Sequence, residues 1–356
     1  MINQRWQEDG IYVLSVGAQT PIGRSALKSA AAVRCGISAY REHPFMIDRY
    51  GEPMVVAMAD WLPEAFSAQE RIVRLGVDAL QEAFTAASTI SARQTLTVMI
   101  ALSTTTLPAE EGQAKVVQRI RTELQQAGFV INPRFVAEGN AIGVAAIQQA
   151  AAFLLRGTTD AVAVLGVDSH LGPEQLDAID DAGRLHSVNN SWGFTPGEGA
   201  GAVILTTGRI LQHHHLVPLA QLAAVATGSE SKLLGTKAVC IGEGLTQAFR
   251  GALSESDKVH HSYCDLNGET YRADEFGFAV CRTGEGFHDA GSFVAAAECW
   301  GDVGTASVPL QVSLSTSAWS RGFARGSNVL CWSSSTTASL RGALRLTNTW
   351  QHGGAT

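Results

Sequence analysis

The chain has 356 residues, 46% of them hydrophobic and 17% charged, with a net charge of −7. That composition belongs to a globular protein large enough for one two-lobed unit or two domains. Lys and Arg never run longer than two residues, so nothing suggests a nucleic-acid face, and no apolar run reaches the roughly 20 residues that span a bilayer. The first ten residues, MINQRWQEDG, are polar and lack the apolar core of a signal peptide, so a cytoplasmic location is expected. Six cysteines stand singly, at Cys35, Cys240, Cys264, Cys281, Cys299 and Cys331. Without a CxxC pair they are expected to be reduced thiols, buried as small apolar side chains.

In chain order, IYVLSVGAQTPIG reads as a strand ended by a turn at Gly17, Pro21 and Gly23. RSALKSAAAVRCGIS reads as an Ala-rich helix stopped by Gly36. QERIVRLGVDALQEAFTAAS has apolar residues at helical spacing, and TLTVMIALST is a continuous apolar run of the kind expected for a strand covered on both faces. A charged helix, AEEGQAKVVQRIRTELQQAG, precedes a strand in FVINPRFV. Residues 139–156 read as a helix apolar on all sides, which requires burial. DAVAVLGVDS is another buried strand, and WGFTPGEGAGAVILTT is a Gly-rich turn feeding a strand beside it.

The second half repeats this grammar. HLVPLAQLAAVATGS begins with a strand, IGEGLTQAFRGALSES is a helix, and HHSYCDLNGETYRADEFGFAV is a strand, a turn and a helix. A long helix lies in GTASVPLQVSLSTSAWSRG, and NVLCWSSSTTASLRGALRLT closes the chain as two strands about a Ser-rich turn. Strands alternating with helices imply parallel sheets with helices on both sides. The expectation is a pseudo-duplicated unit with a five-layer α/β/α/β/α body, its halves at residues 1–208 and 209–356 and the break near Gly208.

Several stretches together resemble the β-ketoacyl synthases of the thiolase superfamily. GAQTPIG is similar to that family's opening turn, AIGVAAIQQAAAFLLRGTTDAVAVLGVDS to its nucleophile-bearing helix and the next strand, and GFTPGEGAGAVIL is the most specific match. DLNGETYRADEF and CWGDVGTASVPL fall where the family has its two catalytic-histidine loops, and CWSSSTTASL falls at its late glycine-rich turn. The resemblance covers about residues 11–346. It implies the thiolase fold and a dimer, homomeric or heteromeric, formed through the strand around residues 129–136.

A condensing enzyme needs a thiolate at a buried helix N-terminus, which lowers the thiol pKa and supplies oxyanion donors, and two side chains that bind a malonyl group. The set is broken at each position. Aligning on Gly139 puts Val136 at the nucleophile position, and aligning on Ile142 and Gly143 puts Phe135 there. Asn267 stands before Gly268 in place of one histidine, and Asp302 follows Gly301 in place of the other. Asn267 could still donate a hydrogen bond, whereas Asp302 should repel a carboxylate. Glu138 at the helix start should raise the pKa of any nearby thiol. With Glu138, Gly139, Asn267, Gly301 and Asp302, Ser333 and Ser334 complete a remnant pocket in which no catalytic residue is expected.

Other motifs read blandly. Ser103 to Thr106 suit a strand-end turn whose hydroxyls satisfy backbone groups. The adjacent His213, His214 and His215 suit a solvated connection, since three neighbours in one loop cannot converge on a metal. GEGAG fits no phosphate-binding pattern and suits a place where glycines let strand and helix approach. No cofactor, metal, nucleic acid or membrane is expected. The resemblance extends to the nucleophile-less, β-ketoacyl synthase-like proteins encoded beside effector genes of bacterial type VI secretion systems. It implies an inactive scaffold in a bacterial cytoplasm that binds a protein, as an adaptor or co-chaperone for an effector. The alternatives are a non-catalytic partner subunit of a ketosynthase, like a chain-length factor, and a residual decarboxylase or thioester-binding regulator.

Overall fold

The structure, a computed structural model, describes residues 6–91, 95–137, 139–335 and 337–349, so Glu138 lies outside the described residues. In chain order the elements are β1 (Ile11–Gln19), α1 (Ala26–Arg34), β2 (Tyr40–Ile47), β3 (Pro53–Ala57), α2 (Ala68–Ala86), α3 (Ser88–Ser91), β4 (Leu96–Leu102), α4 (Glu110–Gln126), β5 (Ile131–Ala137), α5 (Ile142–Leu155), β6 (Ala161–Ser169) and α6 (Pro173–Asp181). They continue as β7 (Glu198–Thr207), α7 (Gly208–His214), β8 (Ala220–Ser229), α8 (Glu243–Ala252), β9 (His261–Cys264), α9 (Thr270–Thr283), β10 (Phe293–Ala295), α10 (Ala297–Trp300), α11 (Ser307–Ser320), β11 (Asn328–Ser334) and β12 (Leu340–Asn348).

The main sheet runs β10-β9-β11-β12-β8-β1-β7-β6-β4-β5. It is two copies of one pattern. In the order β5-β4-β6-β7-β1 three parallel strands are followed by two antiparallel ones, and β10-β9-β11-β12-β8 does the same. A short antiparallel ladder between Ile11–Val13 of β1 and Ala220–Leu222 of β8 joins them.

Helices α5 and α11 lie between the two halves. Helix α5 touches β4 and β6 on one side and β8 and β12 on the other, and α11 touches β1, β6 and β7 as well as β9, β11 and β12. Helices α2 and α4 cover the outside of the first half, and α8 and α9 the outside of the second. The result is the expected α/β/α/β/α layering. The all-round apolar character of α5 follows from this position.

Helix α11 meets the same burial with a different composition. Its residues Ser307 to Trp319 are all buried, and hydroxyls turn back onto the helix, with Ser315 Oγ donating to Gln311 O and Thr316 Oγ1 to Val312 O. Small side chains let both sheets approach closely. A Cβ on Gly201 of β7 would lie 2.7 Å from Leu310 N, and one on Gly197 would lie 2.2 Å from Trp300 O. The glycines of the GEGAG stretch therefore make room for neighbouring backbone, as its sequence suggests.

Three elements carry little sequence signal. The β2–β3 hairpin is interrupted by Pro44 and a register shift, and β10 is only three residues long, aligned by pairing with β9. Helix α6 lies in the segment between β6 and β7. Two assignments need correction. Cys35 and Cys281 are exposed, so four of the six thiols are buried as expected and two are not. His213 and His214 form the last turn of α7, and His215 closes that helix in the left-handed conformation at φ 53°, so the triplet ends a helix instead of lying in a loop.

Candidate functional site

Sites in open α/β sheets collect beyond the carboxyl ends of the parallel strands. Here β4 ends in Ser103–Thr106, β6 in Asp168–Ser169–His170, β9 in Asp265 and β11 in Ser333–Ser335. The loop before α9 adds Asn267 and Glu269, and the turn after α10 adds Gly301 and Asp302.

Asp302 is the hub. Its carboxylate accepts from Asn267 Nδ2 at 2.7 Å, Gly304 N at 2.9 Å, and Asn140 Nδ2 and Arg272 Nη2 at 3.3 Å each, and His170 Nε2 lies 3.8 Å away. Arg272 also meets Asp265 Oδ2 at 2.7 Å and Glu269 Oε2 at 3.5 Å. Arg184 grips Glu269 through two bonds of 2.7 and 2.9 Å. Ser333 Oγ donates to Asp265 Oδ2, and Ser334 N bonds the same carboxylate at 3.1 Å. Asn267 Oδ1 accepts from Glu269 N, so the DLNGE stretch is an Asx turn whose amide group reaches into the cluster.

Burial raises the Asp302 carboxyl, but Arg272 and His170 outweigh it and hold the group well below the ordinary carboxylate range. Burial lowers the His170 imidazole, and Asp168 and Asp302 reverse this, for a net rise. The expected repulsion of a carboxylate by Asp302 therefore takes a more specific form: the position already belongs to a buried ion-pair network. The cavity it encloses, lined by Cys264, Asp265, Trp300, Asp302 and Ser307 among others, measures about 10 Å³. That is close to the minimum for one water molecule, roughly 10–15 Å³, and far too small for an acyl group.

The other expected site residues divide. Gly139, at φ +49°, lies where a Cβ would be 2.4 Å from Ser335 Oγ, and that hydroxyl accepts from Ala141 N at the start of α5. Arg341, fully buried, holds the same turn through the carbonyls of Ser335, Ala338 and Leu340 and bonds Glu275 Oε1 at 2.5 Å. The helix end that would activate a nucleophile is thus met by a serine. Val136 packs against the central core, while Phe135 is 43% exposed on β5 and takes no part in the cluster. Gly301, at φ 74°, lies against Gly197, and the Ser334 hydroxyl is buried with no hydrogen-bond partner among the described residues.

Cys264 is the thiol that lines the small cavity. Burial pushes its pKa far up, and its Sγ lies 3.6 Å from the Val294 carbonyl oxygen, which is not a base. Ser103 Oγ accepts from Thr105 N and Thr106 N, as a strand-end turn should, and Thr106 Oγ1 reaches Asp168 at 2.7 Å. Among the described residues one group has metal-ligand spacing: Glu230, Cys240 and Glu275, with ligand atoms within 4.8 Å of one another. The Arg341 guanidinium already supplies a cation there, so the group does not fit a metal well.

Sequence reasoning missed Arg272, Arg184 and His170. The signals present were an Arg three residues after Glu269 and a His closing the Asp168–Ser169–His170 strand end.

A family model for "Beta-ketoacyl synthase, N-terminal domain" matches residues 139–209. No curated protein matches the sequence. Among solved structures, a complex of a type II polyketide synthase acyl-carrier protein with its ketosynthase superposes with TM-score 0.76 at 12% identity, covering 96% of this chain and 100% of that one. The ishigamide ketosynthase/chain-length factor gives 0.76 at 14% identity, covering 97% and 100%. A ketosynthase in complex with its chain-length factor from Xenorhabdus doucetiae gives 0.74 at 15%, covering 96% and 98%. The fold is of the ketosynthase, thiolase-like type.

Proposed function

We propose that this thiolase-like fold serves as a non-catalytic scaffold that acts by binding another protein. What supports the reading is Val136 or Phe135 where the resemblance expects the nucleophile, together with the buried pairing of Asp302 with Arg272 where it expects a histidine. A thioester intermediate needs a thiolate, and the described thiol nearest the remnant site is buried with a raised pKa. The partner reading that follows from the sequence resemblance is an adaptor or co-chaperone for a type VI secretion effector.

One observation favours a second reading. Structures superposing on this chain include ketosynthases with their chain-length factors. A subunit of that kind pairs through its fold and leaves condensation to its partner. The pair of readings separates by co-expression with the proteins encoded beside it. An adaptor forms a stable complex with an effector and leaves acyl-chain elongation unaffected. A ketosynthase partner subunit instead copurifies with an active ketosynthase and changes the length of its product.

A further inference from the structure

We propose that a second cavity, between α1, the β9–β10 edge and the end of α11, binds a small monocarboxylate with an apolar tail. The cavity measures about 270 Å³ and shares no lining residue with the remnant site. It lies beside His261, where β9 begins, whereas the remnant site gathers after Cys264, where β9 ends.

The walls are apolar and come from four segments: Val33 of α1, Val294 of β10, Leu314 of α11 and Phe323 beyond it. Two guanidinium groups, Arg34 and Arg325, line the same space. Arg34 lies over the Phe323 ring at 4.5 Å, and Arg325 Nη1 donates to Ser292 Oγ at 3.1 Å. Neither forms an ion pair with a carboxylate among the described residues, although the chain carries a net charge of −7. The contrast with Arg71, Arg272 and Arg341 is direct, since each of those is buried against a Glu or Asp.

Polar groups complete the recognition set. Ser292 Oγ also bonds His261 Nδ1 at 3.0 Å, and the Tyr263 ring stands edge-on to His261 with centroids 5.0 Å apart. Burial, reinforced by Arg325, pushes the His261 imidazole down to about 4, so it stays neutral near pH 7 and hydrogen-bonds without adding charge. Two uncompensated cations over an apolar wall select an anionic head with an apolar tail. The volume sits just under the usual small-molecule range of about 300–1,000 Å³, which fits a short acyl or aryl tail and excludes a nucleotide.

Calorimetric titration with octanoate tests this, with 1-octanol and inorganic phosphate as controls. The expected result is saturable one-to-one binding of octanoate, weaker binding of both controls, and at least about tenfold loss of octanoate affinity in Arg34→Gln/Arg325→Gln. Both arginines are exposed, so the double variant keeps the parent melting temperature. Filling the cavity with Ala30→Leu should weaken octanoate and 1-octanol alike. No saturable octanoate binding, equal binding of 1-octanol, tighter binding of phosphate, or an unchanged affinity in the double arginine variant would overturn the proposal.

Discussion

Arg272→Met removes the cation that holds the buried carboxylate cluster together. Arg272 is 1% exposed and lies 2.7 Å from Asp265 and 3.3 Å from Asp302, both of which are buried as well. Methionine keeps most of the side-chain length but leaves those carboxylates without their principal countercharge. Breaking one side of a buried ion pair costs about 3–5 kcal/mol, because the remaining charge stays desolvated. With an unfolding entropy near 0.75 kcal/mol/K, from about 2.1 cal/mol/K for each of 356 residues, the melting temperature should fall by about 4–7 °C. The loss should also depend on pH. In the parent, the low pKa of Asp302 contributes stability that is present above the ordinary carboxylate value and is lost as pH falls through the folded value. In the variant, the orphaned carboxyls should titrate above their unfolded values, so protonation on acidification relieves them. Differential scanning calorimetry should therefore show a larger deficit at pH 8 than at pH 5, and Asp302→Asn in the Arg272→Met background should return part of the loss. A shift under about 1 °C at pH 8 would refute the reasoning, as would a deficit that does not change with pH.

Three further outcomes follow from the same geometry. His170 has a raised pKa, so its contribution is fully present below the unfolded value of 6.5 and is lost as pH rises through the folded value; His170→Gln should lower the melting temperature at pH 6 and lie closer to the parent at pH 9. Gly201→Ala would place a methyl 2.7 Å from Leu310 N and should destabilise by about 1–3 kcal/mol in urea titrations, whereas a neutral result would deny that α11 sits this close to β7. Strand β5 ends the main sheet, and Val130 beside it is 53% exposed; if this edge pairs with another chain, Val130→Asp should lower the mass found by light scattering, and an unchanged mass would point to another interface.

The parts of the fold legible in the sequence are those whose signal is local. The apolar run of β6, the all-round apolar α5 and the glycines before and within β7 each carry their own explanation, and the two halves follow from the recurrence of that grammar. The β2–β3 hairpin and β10 were not legible, because short strands depend on partners for their alignment and show no period of their own. The site divides in the same way. The absence of a cysteine at Val136 or Phe135, and the presence of Asn267 and Asp302, can be read directly. What Asp302 does cannot, because its charge is answered by Arg272 from 30 positions away and by His170 from the other half of the sheet. Read alone, Asp302 is a repulsive carboxylate; with those partners it is the hub of a buried ion-pair network. Ser335 shows the same limit. Its place in a Ser-rich turn is plain, but its bond to Ala141 at the start of α5 spans 194 residues.

The central claim is that the chain performs no thioester chemistry, and intact-protein mass spectrometry after incubation with acyl-CoA and with acyl-carrier protein, alongside measurement of carbon dioxide released from malonyl-CoA, tests it most directly. The account predicts an unmodified mass and no release above the protein-free rate. An acyl increment on Cys264 or any other cysteine, or malonyl decarboxylation abolished by Asn267→Ala, would contradict it.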